Sequence, residues 1–280
     1  MSLQISSAFV TLFDAEVKQA YQGQRALAGL IRERSGVEGS TVKFPKIGKG
    51  VAMTRIPQAD VTPLNVSYAQ VTATMQDYIA AEYSDIFNQQ KVNFDDRREL
   101  VQVVSGAIGR RMDQLVIAAL EASGTTLTVD EDLGGTNASL NVAKLRRAKR
   151  FLDEKNVPME GRVALIHARS LEGLLGETAA TSADFNSVRA LVAGEINTFL
   201  GFRFVTLGDR DEGGLGFGSA NIRQNWFFHR DAVGMGIGMN SKTEINYVPE
   251  KTSFLVASMF SAGAVAIDAE GIVKVETYEA

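Results

Sequence analysis

The chain has 280 residues, and 29 Lys and Arg against 33 Asp and Glu leave a formal net charge of −4 with both histidines neutral. A hydrophobic share of 45% and a charged share of 22% exclude a disordered chain, and at roughly 150 residues per domain the length predicts about two domains. The absence of cysteine excludes disulfides, thiolate catalysis and cysteine-bound metal, and the acidic balance removes the drive for non-specific nucleic-acid binding outside a local basic patch.

No apolar run reaches the ~18–20 residues of a membrane span, and Met1 to Tyr21 has no basic start before an apolar stretch, so a soluble, unsecreted protein is expected. Phe9, Phe13, Val17 and Tyr21 recur every four positions and predict an amphipathic first helix that must dock on the body or on a neighbouring subunit. After Gly36 and Gly39 the pattern turns extended. Thr41 to Ile47 and Val51 to Ile56, split by Gly48-Lys49-Gly50, predict a hairpin whose glycines supply positive φ, and the Pro-punctuated stretch to Tyr68 completes a projecting arm. Strand character returns at Val71 to Met75 and Tyr78 to Ile86.

Asp96 with Glu99 three residues on reads as a capping box, and Leu100, Val104, Ile108, Met112, Leu115, Val116 and Ala119 form one stripe, predicting a spine helix over 96–122 about 40 Å long. Asn141 is expected to cap a helix carrying Leu145, Ala148, Phe151 and Leu152. Val163 to Ile166 reads as a buried strand, Ser170 as the cap of a helix through Leu175, Phe185 to Ala193 as broken and polar, and Phe199 to Val205 as a turn entering a strand. Five further runs predict strands at Ile222 to His229, Ala232 to Gly238, Thr243 to Val248, Ser253 to Phe260 and Gly271 to Thr277, with Val265 to Ile267 between the last two.

Chemical motifs are sparse. His167 and His229 have no spacing that would bring two imidazoles to one metal. The acidic turns at Asp130 and Asp209 resemble calcium loops but end on Asn141 and Ala220 where the closing Glu belongs. Alternating glycines at Gly214 to Gly218 and Gly234 to Gly238 lack the Lys-Ser/Thr and following helix of a phosphate site, and mark a bulge or close backbone approach instead. A basic cluster, Lys144, Arg146, Arg147, Lys149 and Arg150, lies on the Asn141 helix without interleaved aromatics, which favours a solvated or subunit-facing surface over a nucleic-acid site. No catalytic, cofactor-binding or metal residue is assigned.

The order of these elements, with Val42-Lys43-Phe44-Pro45-Lys46-Ile47-Gly48, the spine helix, Lys155-Asn156-Val157-Pro158 before Arg162-Val163, Phe199-Leu200-Gly201-Phe202 and Phe228-His229-Arg230-Asp231-Ala232-Val233-Gly234, resembles the major capsid proteins of tailed bacteriophages, in particular the short-tailed branch. The resemblance implies an α+β fold of the Hong Kong 97 type: an N-terminal arm and helix over 1–40, an extended loop over 41–75, a peripheral domain of 76–135 plus 241–280, and an α/β axial domain over 136–240. It implies a structural protein of the virion capsid, without enzymatic activity or cofactor. Pentamers and hexamers would assemble in the bacterial host cytoplasm, with a scaffolding protein, a portal and a decoration protein as partners, around DNA packaged without sequence-specific binding and without a membrane. Candidate subunit contacts are Lys43, Phe44, Lys46, Lys49, Met53 and Arg55 on the extended loop, and Phe9 and Phe13 on the first helix. Some relatives join a lysine to an asparagine covalently, a role that no residue here can be assigned. The competing readings are a cargo-binding nanocompartment shell of the encapsulin kind and a soluble enzyme.

Overall fold

The computed structural model describes residues 23–54, 57–58, 60, 63–89, 95–176, 198–219 and 221–279. The elements in chain order are β1 (Arg32–Ser35), β2 (Thr41–Ile47), β3 (Tyr68–Thr74), β4 (Gln76–Asp85), α1 (Ile86–Gln89), α2 (Asp96–Glu121), β5 (Thr128–Val129), α3 (Val142–Glu154), β6 (Arg162–His167), α4 (Ala168–Leu175), β7 (Thr198–Phe199), β8 (Phe202–Leu207), β9 (Phe217–Ser219), β10 (Ile222–His229), β11 (Val233–Val248), β12 (Ser253–Ala266) and β13 (Ile272–Tyr278). The mixture is α+β, as expected. The amphipathic helix with Phe9, Phe13, Val17 and Tyr21, and the segment Phe185 to Ala193, lie outside the described residues.

Strand length separates the two principal sheets. The peripheral sheet runs β1-β11-β12-β4, with β1 parallel to β11 and the other pairs antiparallel. Its long strands, 16 residues in β11 and 14 in β12, each merge two runs that the sequence pattern divides. The β11–β12 register shifts between Ile237 and Met239 and again before Lys242, so the inward alternation breaks although the ladder continues. The spine helix α2 lies on this sheet and buries Ile108, Met112 and Val116 among Met235, Ile237, Phe260 and Ala262. Its predicted capping box does not form. The N-cap is Asp95, whose side chain makes no capping hydrogen bond, and Asp96 instead accepts from Ser84 Oγ at 2.8 Å.

The axial sheet runs β5-β13-β10-β6-β8-β7, with β9 on the free end of β10. Its central strands are covered on both faces. Val163, Leu165, Trp226 and Phe228 face the same core as the spine helix, while Ala164, Ile166 and Phe227 face a second core made with Leu145, Ala148 and Leu152 of α3 and Leu174 of α4. That double burial explains why β6 shows no polar alternation and is buried along its whole length. Asn141 caps α3 as predicted, accepting the Lys144 N–H at 2.8 Å. Ser170 does not cap α4, because His167 does, and the serine hydroxyl is buried inside. The β7–β8 connection is a two-residue hairpin with positive φ at both Leu200 (52°) and Gly201 (86°), the twist that such tight turns need.

Sheet membership moves two of the expected boundaries. The strand β13 belongs to the axial sheet, paired with β10 and β5, and not to the peripheral region 241–280. The start of β11, placed in the axial range, pairs with β1 and β12 in the peripheral sheet. Since the two sheets share one apolar core, the chain crosses between them repeatedly.

Candidate assembly surfaces

The arm departs from its predicted topology. β2 pairs antiparallel with β3, Thr41 opposite Thr74 and Ile47 opposite Tyr68, and not with 51–54, the described part of the run expected to partner it. Gly48 and Gly50 do not have positive φ. Their smallness serves packing, since a Cβ at Gly50 would lie 3.2 Å from Leu64 Cδ1 across the loop. A two-stranded ribbon is marginal alone and needs a seat. Here Val42, Phe44 and Ala73 supply it, forming a small core with Ile267. Phe44 lies over Gly234, where a Cβ would come within 2.9 Å of its ring, and Val42 lies over Gly236, so the alternating glycines of β11 are notches for the arm.

This placement changes the reading of the candidate contacts. Phe44, 2% exposed, is a core residue of its own chain and not a subunit contact, because the β2–β3 pairing turns it inward onto β11. Lys46 pairs with Asp268 and Lys49 with Glu270, each at 2.8 Å, so both tie the arm to the turn between β12 and β13. The Lys49 hydrogen bond, helped by the charges of Lys155 and Lys49, holds the Glu270 carboxyl below its ordinary range. Lys43 is exposed on β2 and Met53 is 72% exposed on the tip. Ile47, Val51, Leu64 and Tyr68 are also exposed, giving the tip an apolar surface that no described residue of its own chain covers. Arg55, Phe9 and Phe13 lie outside the described residues.

A second constellation, absent from the sequence reading, fixes where the N-terminal segment meets the spine helix. Asp113 is 1% exposed and accepts the N–H groups of Ala26 (2.7 Å) and Leu27 (3.1 Å) together with Arg210 Nη1 (2.7 Å). Arg210 also donates to the Gln24 carbonyl, and Arg110, one turn before Asp113, donates through Nε to both carboxylate oxygens of Glu212 at 2.8 and 2.9 Å. Gly109 lets the segment cross closely, since a Cβ there would lie 3.2 Å from Arg25 Cβ. The acidic turn at Asp209, which resembles a calcium loop in sequence, is thus half of a clamp. Arg110 and Asp113 look like surface positions in a helical stripe, and their only sequence signal is charge next to buried Ile108 and Met112.

The axial region holds a buried polar cluster. Glu279 accepts from Arg223 Nε (3.0 Å) and Ser170 Oγ (3.2 Å), and one of its oxygens lies 3.1 Å from His167 Nδ1. Asn225 donates to Thr277 and Ser170 and accepts the His167 N–H. Ser, His and Glu meet here without forming a nucleophilic triad, because the hydroxyl is hydrogen-bonded to the carboxylate and not to a histidine nitrogen. Lys144, fully buried, donates to the carbonyls of Ala138 and Glu276, and burial lowers its pKa from 10.5 to about 8. These contacts staple α3 to β13. Among the described residues no helix is long and apolar enough to cross a membrane, and no group of three or more His, Cys, Asp or Glu could hold a metal ion.

A long spine helix packed on long antiparallel strands, a doubly covered axial sheet and a seated ribbon define a fold of the Hong Kong 97 type. The chain belongs to the phage capsid protein family, whose model matches residues 5–279. Among solved structures it is similar to the capsid of cyanophage P-SCSP1u, with a TM-score of 0.79 and 16% identity over 100% of this chain and 96% of that one. It is also similar to the head of Helicobacter pylori bacteriophage KHP40, with a TM-score of 0.74 and 12% identity over 99% and 97% of the two chains. For Mycobacterium phage Che8 the TM-score is 0.69 and the identity 19%, covering 94% and 95%. No curated protein matches the sequence significantly.

Proposed function

We propose that this chain is the major capsid protein of a tailed phage, assembling as pentamers and hexamers into an icosahedral shell around double-stranded DNA, with no enzymatic role. The observation that carries the reading is the phage capsid family match, which runs through nearly the whole chain, from residue 5 to 279. The arm tip supports it. Val51, Met53, Leu64 and Tyr68 expose apolar surface on a ribbon with no core of its own, and a neighbouring subunit is the natural cover. Lys43 and Met53 are proposed to touch that neighbour, whereas Phe44 serves the seat. A scaffolding protein, portal and decoration protein are the proposed partners, and the host cytoplasm the proposed place of assembly. A net charge of −4 suits a container, whose wall should not hold packaged DNA by attraction.

The test is assembly of the expressed protein, followed by light scattering and negative-stain microscopy. Shells are expected; species of only ~30–60 kDa under all salt and scaffold conditions would overturn the reading. Replacing residues 48–67 by a short Gly-Ser turn tests the arm. The replacement keeps Phe44 and Val42 in place, so folding should persist while shells are lost. Intact shells from that variant would remove the tip from the interface.

A further inference from the structure

The outward side of α3 carries two flanks of opposite charge. One is a groove of about 670 Å³ between α3 and the β7–β8 turn, with Val142, Phe199 and Leu200 as its apolar part and Arg146, Lys149 and Arg150 as its cations. The two carboxylates at this groove are already engaged, Asp153 with Arg162 at 2.7 Å and Glu154 with Arg150 at 3.0 Å. Arg146 and Lys149 make no ion pair with any described residue. The other flank is the turn that begins at Asp130, beside Arg147 and Phe151. Asp130 and Asp132 are exposed there; Asp132 accepts the Asn137 N–H at 3.0 Å, and Asp130 makes no ion pair with any described residue. At about 100° per residue the flanks are set about 120° apart around the helix, with Arg147 between them.

A surface with base on one flank and acid on the next is complementary to a rotated copy of itself. Contacts of that head-to-tail kind close into rings when the rotation divides a full turn. We propose that the acidic turn around Asp130 and Asp132 of one copy seats in the Arg146–Lys149 groove of the next copy, forming a ring contact between axial regions. The partner is a second copy of this chain, chosen by charge: among the described residues the groove leaves two cations without an ion pair and the turn offers two exposed carboxylates. Attraction between such charges acts before close contact and tolerates changes in angle better than interlocked apolar packing does. The same pair of surfaces therefore serves rings of different order. The inference rests on the assembly reading above and deepens it.

Three chains test it: Arg146→Glu with Lys149→Glu, Asp130→Lys with Asp132→Lys, and all four substitutions together. Circular dichroism and melting come first; if losing the Asp132–Asn137 hydrogen bond prevents folding, Asp130→Lys alone replaces the second chain and Asp130→Lys with Arg146→Glu the third. Particle yield by light scattering at low salt is expected to fall by about tenfold or more in each one-sided chain and to recover in the two-sided chain, where the signs are exchanged but opposite charges still meet. Normal yield from either one-sided chain overturns the proposal, as does failure of the two-sided chain to recover. If the parent forms no particles under any condition, the assembly reading itself fails, and this inference with it.

Discussion

In the axial sheet, β6 and β10 send successive residues into two different cores, while in the arm β2 and β3 bury only Val42, Phe44 and Ala73 and leave Ile47 and Tyr68 in solvent. Both regions are extended backbone of similar strand length. What differs is where the cover comes from: the axial strands receive helices or a second sheet on each face, and the arm receives a strip of glycine notches on one face near its base. The first arrangement stabilises a single chain. The second leaves stability to the base and surface to the tip, so the two properties can be changed separately.

The strongest way to break this contrast is Phe227→Ala, which empties a fully buried site where the ring packs edge-on to Phe202 at 5.1 Å; a loss of about 3–5 kcal/mol in urea unfolding is expected. The matched arm substitution, Met53→Ala, should stay within about 0.5 kcal/mol, and a larger cost would show that the tip has a hidden core of its own. Next is Asp113→Ala, which strands Arg210 and two backbone N–H groups in the clamp; about 3 kcal/mol should be lost, with Asp113→Asn milder.

The third prediction concerns pH. Lys144 loses its proton near pH 8 in the folded chain and near 10.5 in the unfolded chain, so between those values the unfolded state binds more protons and stability from this group rises with pH. Lys144→Met should flatten that rise in chemical denaturation followed from pH 8 to 10.5. A smaller effect than these is expected for Lys46→Ala, of the same order as for Met53→Ala. The Lys46 pair with Asp268 is partly exposed and contributes at most about 1 kcal/mol, less at high salt, as thermal melts at two ionic strengths would show.

The same contrast explains how far the sequence could be read. Where one local rule decides, the reading holds: Ile222 to His229 is a strand to the residue, Asn141 caps α3, and the spine helix ends one residue short of its predicted limit. Where two distant segments decide, it fails. Gly48-Lys49-Gly50 has the local chemistry of a tight turn, but the partner of β2 is set by Val42 and Phe44 fitting Gly236 and Gly234 nearly 200 positions later. The breaks before Lys242 and after Phe260 likewise look like strand ends, because a register shift erases alternation without ending the ladder. At the proposed assembly surfaces the position of Lys43 and Met53 on the arm is legible in the sequence, and their contact with a neighbour is the proposal. The inward turn of Phe44 and the Asp113–Arg210 clamp were not, since burial of a charged group depends on partners that periodicity does not reveal.

The strand β13 lies between β5 and β10, and Glu279 is buried behind it on Arg223 and His167. A ribosome making this chain therefore delivers an interior strand of the axial sheet after every element that surrounds it. Until synthesis has passed residue 279, β10 lacks a neighbour and the buried Arg223 lacks its carboxylate. A prematurely terminated product would carry an open sheet instead of a finished axial face.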